Sequence, residues 1–240
     1  MSVDVFFDMP VGLKMPAIGL GTGTNLELDY VDLYLIHFPI GFKHVDGQIH
    51  GPGSKEDIDE TFDHIAIWKK MEEQVDAGRT RAIGLSNFNQ RQIERIMNAA
   101  RIKPVCLQVE LHVHLQQRDL VKYCQKNGIV VVAYTPLLAP GSTGVERKIP
   151  SPLQNVIVKK IAAKYGKTSA QILLRKNVAV IPKSSNPERL KENIDIFDFN
   201  IDSEDMLFLD ELEAGEVARL RTFRYYPPGF LDHPEYPYPK

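Results

Sequence analysis

Cysteine is scarce in this chain: two residues, Cys106 and Cys124, in a length of 240. Two are too few for a disulfide framework, and neither belongs to a C-x-x-C pair, so a disulfide-stapled scaffold and a dithiol redox centre are both excluded. Each sits in an apolar stretch, which predicts buried, reduced thiols. An excess of one charge is also lacking, since 29 Lys and Arg face 31 Asp and Glu for a formal net charge of -2. A general binder of nucleic acid or of anionic membrane would carry a basic excess, so neither partner is expected, although local basic sites remain compatible. The apolar runs, such as Ile129–Tyr134, stop far short of the roughly 20 residues of a membrane helix. Met1–Pro16 lacks the basic start and long apolar run of a signal peptide, which leaves the cytosol as the expected compartment. No G-x-G-x-x-G follows a strand-like run, and the glycines between Gly19 and Gly23 do not open a helix, so a Rossmann reading loses its best marker. His112 and His114 have no cysteine or histidine partners at zinc spacing, and no metal site is expected.

What is present is an ordinary globular composition, 43% apolar and 25% charged, enough chain for one large domain or two small ones. Continuous runs rich in Val, Ile and Leu occur at Val31–Ile36, Arg81–Leu85, Pro104–Glu110, Ile129–Tyr134 and Val178–Pro182, with a further candidate at Ala17–Gly21. They lack polar alternation, as strands buried on both faces do. Helical patterns lie between them at Asp57–Ala77, Gln90–Ala100, Gln116–Asn127 and Pro152–Arg175, with Pro187–Ile194 and Ser203–Leu212 closing the series. Gly78 and Gly128 supply C-terminal stops.

Repeated strand–helix units imply a parallel sheet, either doubly wound or closed as a (β/α)8 barrel. Barrel enzymes place functional residues where strands end. Polar residues stand there in this chain: His37, Ser86 and Asn87, Gln108 and Glu110, Tyr134, and Lys183 and Ser184. The expected fold is therefore α/β of the (β/α)8 TIM-barrel type. It is incomplete at about six of the eight strands a closed barrel needs, with an N-terminal hairpin and a C-terminal loop. From Gly21 to Asn25 there is no room for the dozen or so residues of a parallel crossover.

With the strand ends aligned, the chain resembles the aldo-keto reductase family in ordered blocks as far as about Phe199. The segment Val11–Thr22 resembles the family's N-terminal hairpin and first strand, and Leu28–Pro39, with Leu35-Ile-His-Phe-Pro39, its fourth-strand signature. Trp68–Phe88, ending Ala82-Ile-Gly-Leu-Ser-Asn-Phe88, matches the fourth helix and fifth strand. Gln108-Val-Glu-Leu-His112, Ala133-Tyr-Thr-Pro-Leu137 and Ile181-Pro-Lys-Ser184 match strands six to eight. A single domain spanning residues 1–240 is expected.

The resemblance implies NADPH-dependent reduction of an aldehyde or ketone to an alcohol. It assigns Ser86, Asn87 and Gln108 to the nicotinamide carboxamide, which needs both donors and an acceptor. Tyr134 becomes the platform on which the nicotinamide ring stacks, with Thr135, a serine in many members, and Leu137 in the same stretch. Lys183, Ser184, Arg189 and Asn193, with Glu192 beside them, become the cradle for adenine and the adenosine 2′-phosphate. His37 matches the active-site histidine that orients the substrate carbonyl, and Phe38 stands where many members carry Trp.

The resemblance also exposes a gap. Between its first and fourth strands the family carries two strands, their helices, and a catalytic aspartate, tyrosine and lysine. Thr22–Leu26 stands in place of that stretch here. Hydride addition builds negative charge on the carbonyl oxygen, and loss of the general acid removes roughly 10²–10⁴ in rate. Two readings stand: an impaired NADPH-dependent carbonyl reductase, and a catalytically silent module that binds NADPH or a partner. The implied substrate is a small carbonyl compound, and a tail from Arg221 to Lys240 rich in Tyr, Phe and Pro favours an apolar one. That tail, from residue 214, corresponds to the loop over the barrel mouth. The family's expectation is a monomer, with strand edges exposed by the gap as the route to self-association.

Overall fold

The computed structural model describes residues 6–9, 13–16, 29–43, 57–140, 148–175, 178–221 and 229–239. The strand candidate at Ala17–Gly21 and the Thr22–Leu26 junction lie outside them. The described strands are β1 (Phe6–Asp8), β2 (Lys14–Pro16), β3 (Val31–Ile36), β4 (Gly41–Phe42), β5 (Ile58–Asp59), β6 (Thr80–Ser86), β7 (Cys106–Glu110), β8 (Val130–Tyr134) and β9 (Ala179–Val180). The helices are α1 (His64–Asp76), α2 (Gln90–Ala99), α3 (Arg118–Lys126), α4 (Val156–Tyr165), α5 (Ser169–Leu174), α6 (Pro187–Ile194) and α7 (Ser203–Asp210). The main sheet is parallel, with strand order β3-β6-β7-β8-β9. The expected N-terminal hairpin is present as β1 and β2, antiparallel with Phe6 opposite Pro16.

The chain divides into two compact units. The first contains Met1–Asn25 and Gln108–Leu220; the second contains Leu26–Leu107 and the C-terminal Arg221–Lys240. The boundary falls inside β7.

In the second unit, β3 lies parallel to β6 with Val31 opposite Thr80 and Ile36 opposite Leu85. Gly84 permits a close approach there. A Cβ on it would stand 2.7 Å from the Cys106 carbonyl oxygen and 2.8 Å from the Leu35 side chain, so only glycine lets these strands sit at this spacing. Helix α1 starts at Asp63, whose carboxylate accepts the N–H groups of Ile65 and Ala66 at 3.0 and 3.3 Å, the usual answer to orphaned first-turn donors. It buries Trp68 and Met71. The Trp68 indole N–H donates to the Ile102 carbonyl at 2.9 Å. Glu72 Oε1 accepts the N–H groups of Arg101 and Ile102 at 2.8 and 2.9 Å. One face of α1 thus closes the turn that leads into β7.

The helix expected over Asp57–Ala77 begins later than its pattern suggests. Residues 58 and 59 instead form β5, antiparallel to β4. The Asp59 carboxylate takes the hydroxyl and N–H of Thr61 at 2.6 and 2.9 Å. Such local bonds offer the backbone an alternative to a helix.

In the first unit, β8 lies parallel to β9 with Val132 opposite Ala179. The long helix expected over Pro152–Arg175 is divided into a 3-10 turn at Pro152–Gln154, then α4 and α5. Gly166 ends α4 with a left-handed φ of 63°. Thr168 then starts α5 with a capping box to Gln171, a reciprocal pair that satisfies two orphan donors. The core of this unit joins Val113, Val158, Ile161, Ala162, Ile172, Leu173 and Leu209. Lys164 bridges Asp202 and Asp205 at 2.6 and 2.7 Å, tying α4 to α7. Both cysteines are buried and unbridged. Burial pushes the Cys124 thiol up to about 12.

Candidate functional site

In the second unit, β6 ends at Ser86 and the chain turns through Asn87, whose φ is 63°. Asparagine tolerates this left-handed conformation better than most side chains. Asn89 then caps α2 with a capping box to Gln92. The turn buries both polar side chains, Ser86 at 3% and Asn87 at 1% exposure. The Asn87 amide Nδ2 donates to the His37 carbonyl at 2.9 Å and to the Ser86 hydroxyl at 3.1 Å. Its Oδ1 accepts the hydroxyl of Tyr238 at 2.8 Å. His37 therefore meets Asn87 through its main chain. Its side chain is exposed just beyond β3, and no hydrogen bond or ion pair to its ring occurs among the described residues.

Tyr238 reaches Asn87 because the C-terminal segment is packed against this unit. Phe230 is fully buried and stacks on Phe38 with ring centroids 5.2 Å apart. Tyr238 meets the same Phe38 ring edge-on at 6.4 Å. Ile40 and Ile58 complete the cluster. Glu235 accepts from Arg91 and Arg95, each at 2.8 Å, and from the Gln92 amide at 2.9 Å. Partial burial would raise its pKa, but the bonds from Gln92, Arg91 and Arg95 outweigh that and hold the carboxyl at about 2. The Asn89 amide donates to the Pro237 carbonyl at 3.2 Å. Near them His64 Nε2 faces the Pro39 carbonyl at 2.7 Å and so carries the proton, while Nδ1 accepts from Arg95 at 3.3 Å. Burial pushes its pKa down, opposed by the Pro39 carbonyl and by Glu235.

In the first unit, Gln108 is half-buried on β7, and its amide has no hydrogen-bond partner among the described residues. Glu110 is fully buried two residues on. It accepts the Leu220 N–H at 2.7 Å and faces His112 Nε2 at 3.2 Å, so this strand-end carboxylate holds backbone. Tyr134 closes β8, half-buried. Thr135 follows with φ 48°, and its buried hydroxyl oxygen has no hydrogen-bond partner among the described residues. Leu137 packs on the core of this unit.

Beyond β9 the chain reaches Lys183, Ser184 and the start of α6. Asn186 caps that helix, accepting the N–H groups of Glu188 and Arg189 at 2.9 and 3.1 Å, while Ser184 Oγ accepts the Asn186 N–H at 3.1 Å. Lys183, Arg189 and Glu192 are exposed and Asn193 is buried. Neither Lys183 nor Arg189 has an acidic partner among the described residues. Two unneutralised cations at the positive end of a helix are a setting that favours an anion.

The aldo/keto reductase family model matches residues 23–214. The chain belongs to the aldo-keto reductase family. Aldo-keto reductase family 1 member C23 of the horse, Equus caballus, is 42% identical over 223 residues, which span 89% of this chain and 66% of that protein. The structure of the aldose reductase from Schistosoma japonicum superimposes with a TM-score of 0.77 at 37% identity, covering 90% of this chain and 67% of that one. The aldo-keto reductase AKR2E5 of the silkworm, Bombyx mori, solved in complex with NADPH, superimposes with a TM-score of 0.72 at 33% identity. The chain spans about two thirds of the length of the curated relatives it matches, and its parallel sheet is of the incomplete barrel type.

The family assignment was legible in the strand-end blocks. Tyr238, Glu235 and His64 were not singled out by sequence. The aromatic, proline-rich tail was visible, but nothing in a sequence marks a bond between residues 151 positions apart.

Proposed function

We propose that this chain binds NADPH and reduces small apolar carbonyl compounds in a weakened form of the family's chemistry. The observation that carries the reading is the pair of uncompensated cations, Lys183 and Arg189, at the head of α6 just after β9. They suit the extra phosphate that separates NADPH from NADH. The unpartnered Thr135 hydroxyl and Gln108 amide fit the same ligand, because buried or half-buried polar groups ordinarily find partners.

When bound, the cofactor supplies hydride. In this reading Ser86 and Gln108 hold the carboxamide, Asn87 orients Ser86 from beside it, and Leu137 lies beside Tyr134, which offers its ring to one nicotinamide face and thereby selects the face that reacts. Lys183, Ser184, Arg189, Glu192 and Asn193 surround the adenine end. His37 donates to the substrate carbonyl oxygen as charge builds on it. A general acid of the family's kind is missing, so turnover falls by roughly 10²–10⁴. The aromatic tail favours an apolar substrate, and two unbridged thiols suit the cytosol. No helix among the described residues is long and apolar enough to cross a membrane.

The exposed His37 ring favours a second reading, a silent NADPH-binding module. Protein fluorescence titrated with NADPH, followed by aldehyde-dependent NADPH oxidation, separates the two. Binding with slow turnover supports the first, and binding without turnover supports the second. Absence of binding sinks both.

A further inference from the structure

Three side-chain hydrogen bonds of Asn87, to His37, Ser86 and Tyr238, restrict by their directions what it can offer a ligand. Both Nδ2 protons are committed, one to the His37 carbonyl and one to the Ser86 hydroxyl. An amide nitrogen has only two. The His37 carbonyl can only accept, so the reverse orientation would set oxygen against oxygen. Oδ1 is thereby directed to the other side, where the Tyr238 hydroxyl donates to it at 2.8 Å. Ser86 accepts from Asn87, and its own proton is directed elsewhere. Of the Ser86–Asn87 pair, Ser86 is left as the donor to a ligand.

Tyr238 is not held by this bond alone. The segment around it is pinned by buried Phe230, by Glu235 between Arg91 and Arg95, and by the Asn89 bond to Pro237. The tyrosine hydroxyl is thus presented to Asn87 from a segment fixed at several points. A group held by packing and further hydrogen bonds orients its neighbour more sharply than a loose one.

We propose that Tyr238 is a positioning residue of the cofactor site: through its bond to Oδ1 it fixes the Asn87 side chain, and hence the Ser86 hydroxyl, for the carboxamide of a nicotinamide. This rests on the NADPH reading above and adds to it a role for the C-terminal segment at the nicotinamide end. The segment acts on cofactor as well as covering hydrophobic surface.

The test compares NADPH with 2′-phospho-ADP-ribose, which keeps the adenine end and lacks the nicotinamide. Both are titrated against the wild-type chain, Tyr238→Phe, Asn87→Ala and the double variant. The expected result is that Tyr238→Phe weakens NADPH by about 3- to 10-fold, the range of one hydrogen bond, with the fragment's affinity unchanged. In the Asn87→Ala background the same substitution has no further effect, since its influence passes through Asn87. Fragment binding also reports that each variant is folded. Equal weakening of both ligands, no weakening of either, or full additivity with Asn87→Ala overturns the role of Tyr238 and leaves the NADPH reading standing. Failure of the wild-type chain to bind NADPH overturns the cofactor reading and this role with it.

Discussion

Gln92 and Glu235, 143 residues apart, are joined twice: the Gln92 amide donates to the Glu235 carboxylate and to its main-chain carbonyl, each at 2.9 Å. Gln92 is also the capping-box partner of Asn89, so one side chain both starts α2 and anchors the C-terminal segment.

Acid should release this anchor. The Glu235 carboxyl is held at about 2 when folded, against an ordinary 4.5. Its stabilisation is therefore complete above about pH 4.5 and is lost as pH falls toward 2. His64, whose pKa lies below its ordinary 6.5, acts in the same direction, costing stability as pH falls below 6.5. Unfolding midpoints measured from pH 7 to 3 should fall, and Glu235→Gln should flatten the part of the curve below pH 4.5. The size is on the order of 2 kcal/mol, reduced from the full shift because Arg91 is solvent-screened. An unchanged slope in Glu235→Gln would exclude this carboxyl as the source.

Gly84→Ala should destabilise the second unit by about 1–3 kcal/mol, because the added methyl meets a backbone carbonyl that cannot swing aside. Urea unfolding followed by the fluorescence of the single tryptophan, Trp68, which lies in that unit, measures it. Gly78→Ala makes a contrasting variant: its Cβ meets nothing within 4 Å among the described residues, but its φ is 69°, so its cost is conformational rather than steric.

Lys183→Ala and Arg189→Ala should each weaken NADPH by about tenfold while barely changing the weaker binding of NADH, since a charge-assisted bond to phosphate is worth about 1.5–3 kcal/mol. Equal losses for the two cofactors would point away from the 2′-phosphate.

Neither thiol should react with a thiol reagent at pH 8 in the native state. Cys106 and Cys124 are fully buried, and the Cys124 pKa of about 12 leaves almost no thiolate, the reactive form. In denaturant both should titrate. Fast labelling of the native chain would signal local opening around α3 or β7.

Much of the fold could be read from the sequence because the buried strands are short apolar runs with polar ends. Val31–Ile36 and Pro187–Ile194 have the boundaries their patterns suggest. The errors came where local hydrogen bonding overrides periodicity. Asp59 takes Thr61 and delays α1, and Gly166 with Thr168 divides a continuous apolar pattern into α4 and α5. Gln117 adopts a left-handed φ of 46°, so α3 starts at Arg118 although the helical pattern begins at Gln116. At the site, Ser86 and Asn87 were visible from their place after β6. Their bonding was not, because it is set by a main-chain carbonyl at residue 37 and a hydroxyl at residue 238. Glu110 illustrates the opposite case. A carboxylate at a strand end looks available for chemistry, yet it is buried against the Leu220 backbone.

The second unit joins Leu26–Leu107 to a segment more than a hundred residues further on, Arg221–Lys240. During synthesis its strands and helices therefore emerge long before Phe230 and Glu235, with the whole of Gln108–Leu220 made in between. Until Phe230 leaves the ribosome, Phe38, Ile40 and Ile58 lack it as a packing partner. Domains generally fold as units once complete. This one is finished only when Arg221–Lys240 has emerged, so a nascent chain, or one terminated before Phe230, exposes an apolar patch that invites chaperone capture, and a stop codon just before Phe230 should lower abundance far more than the residues it removes suggest.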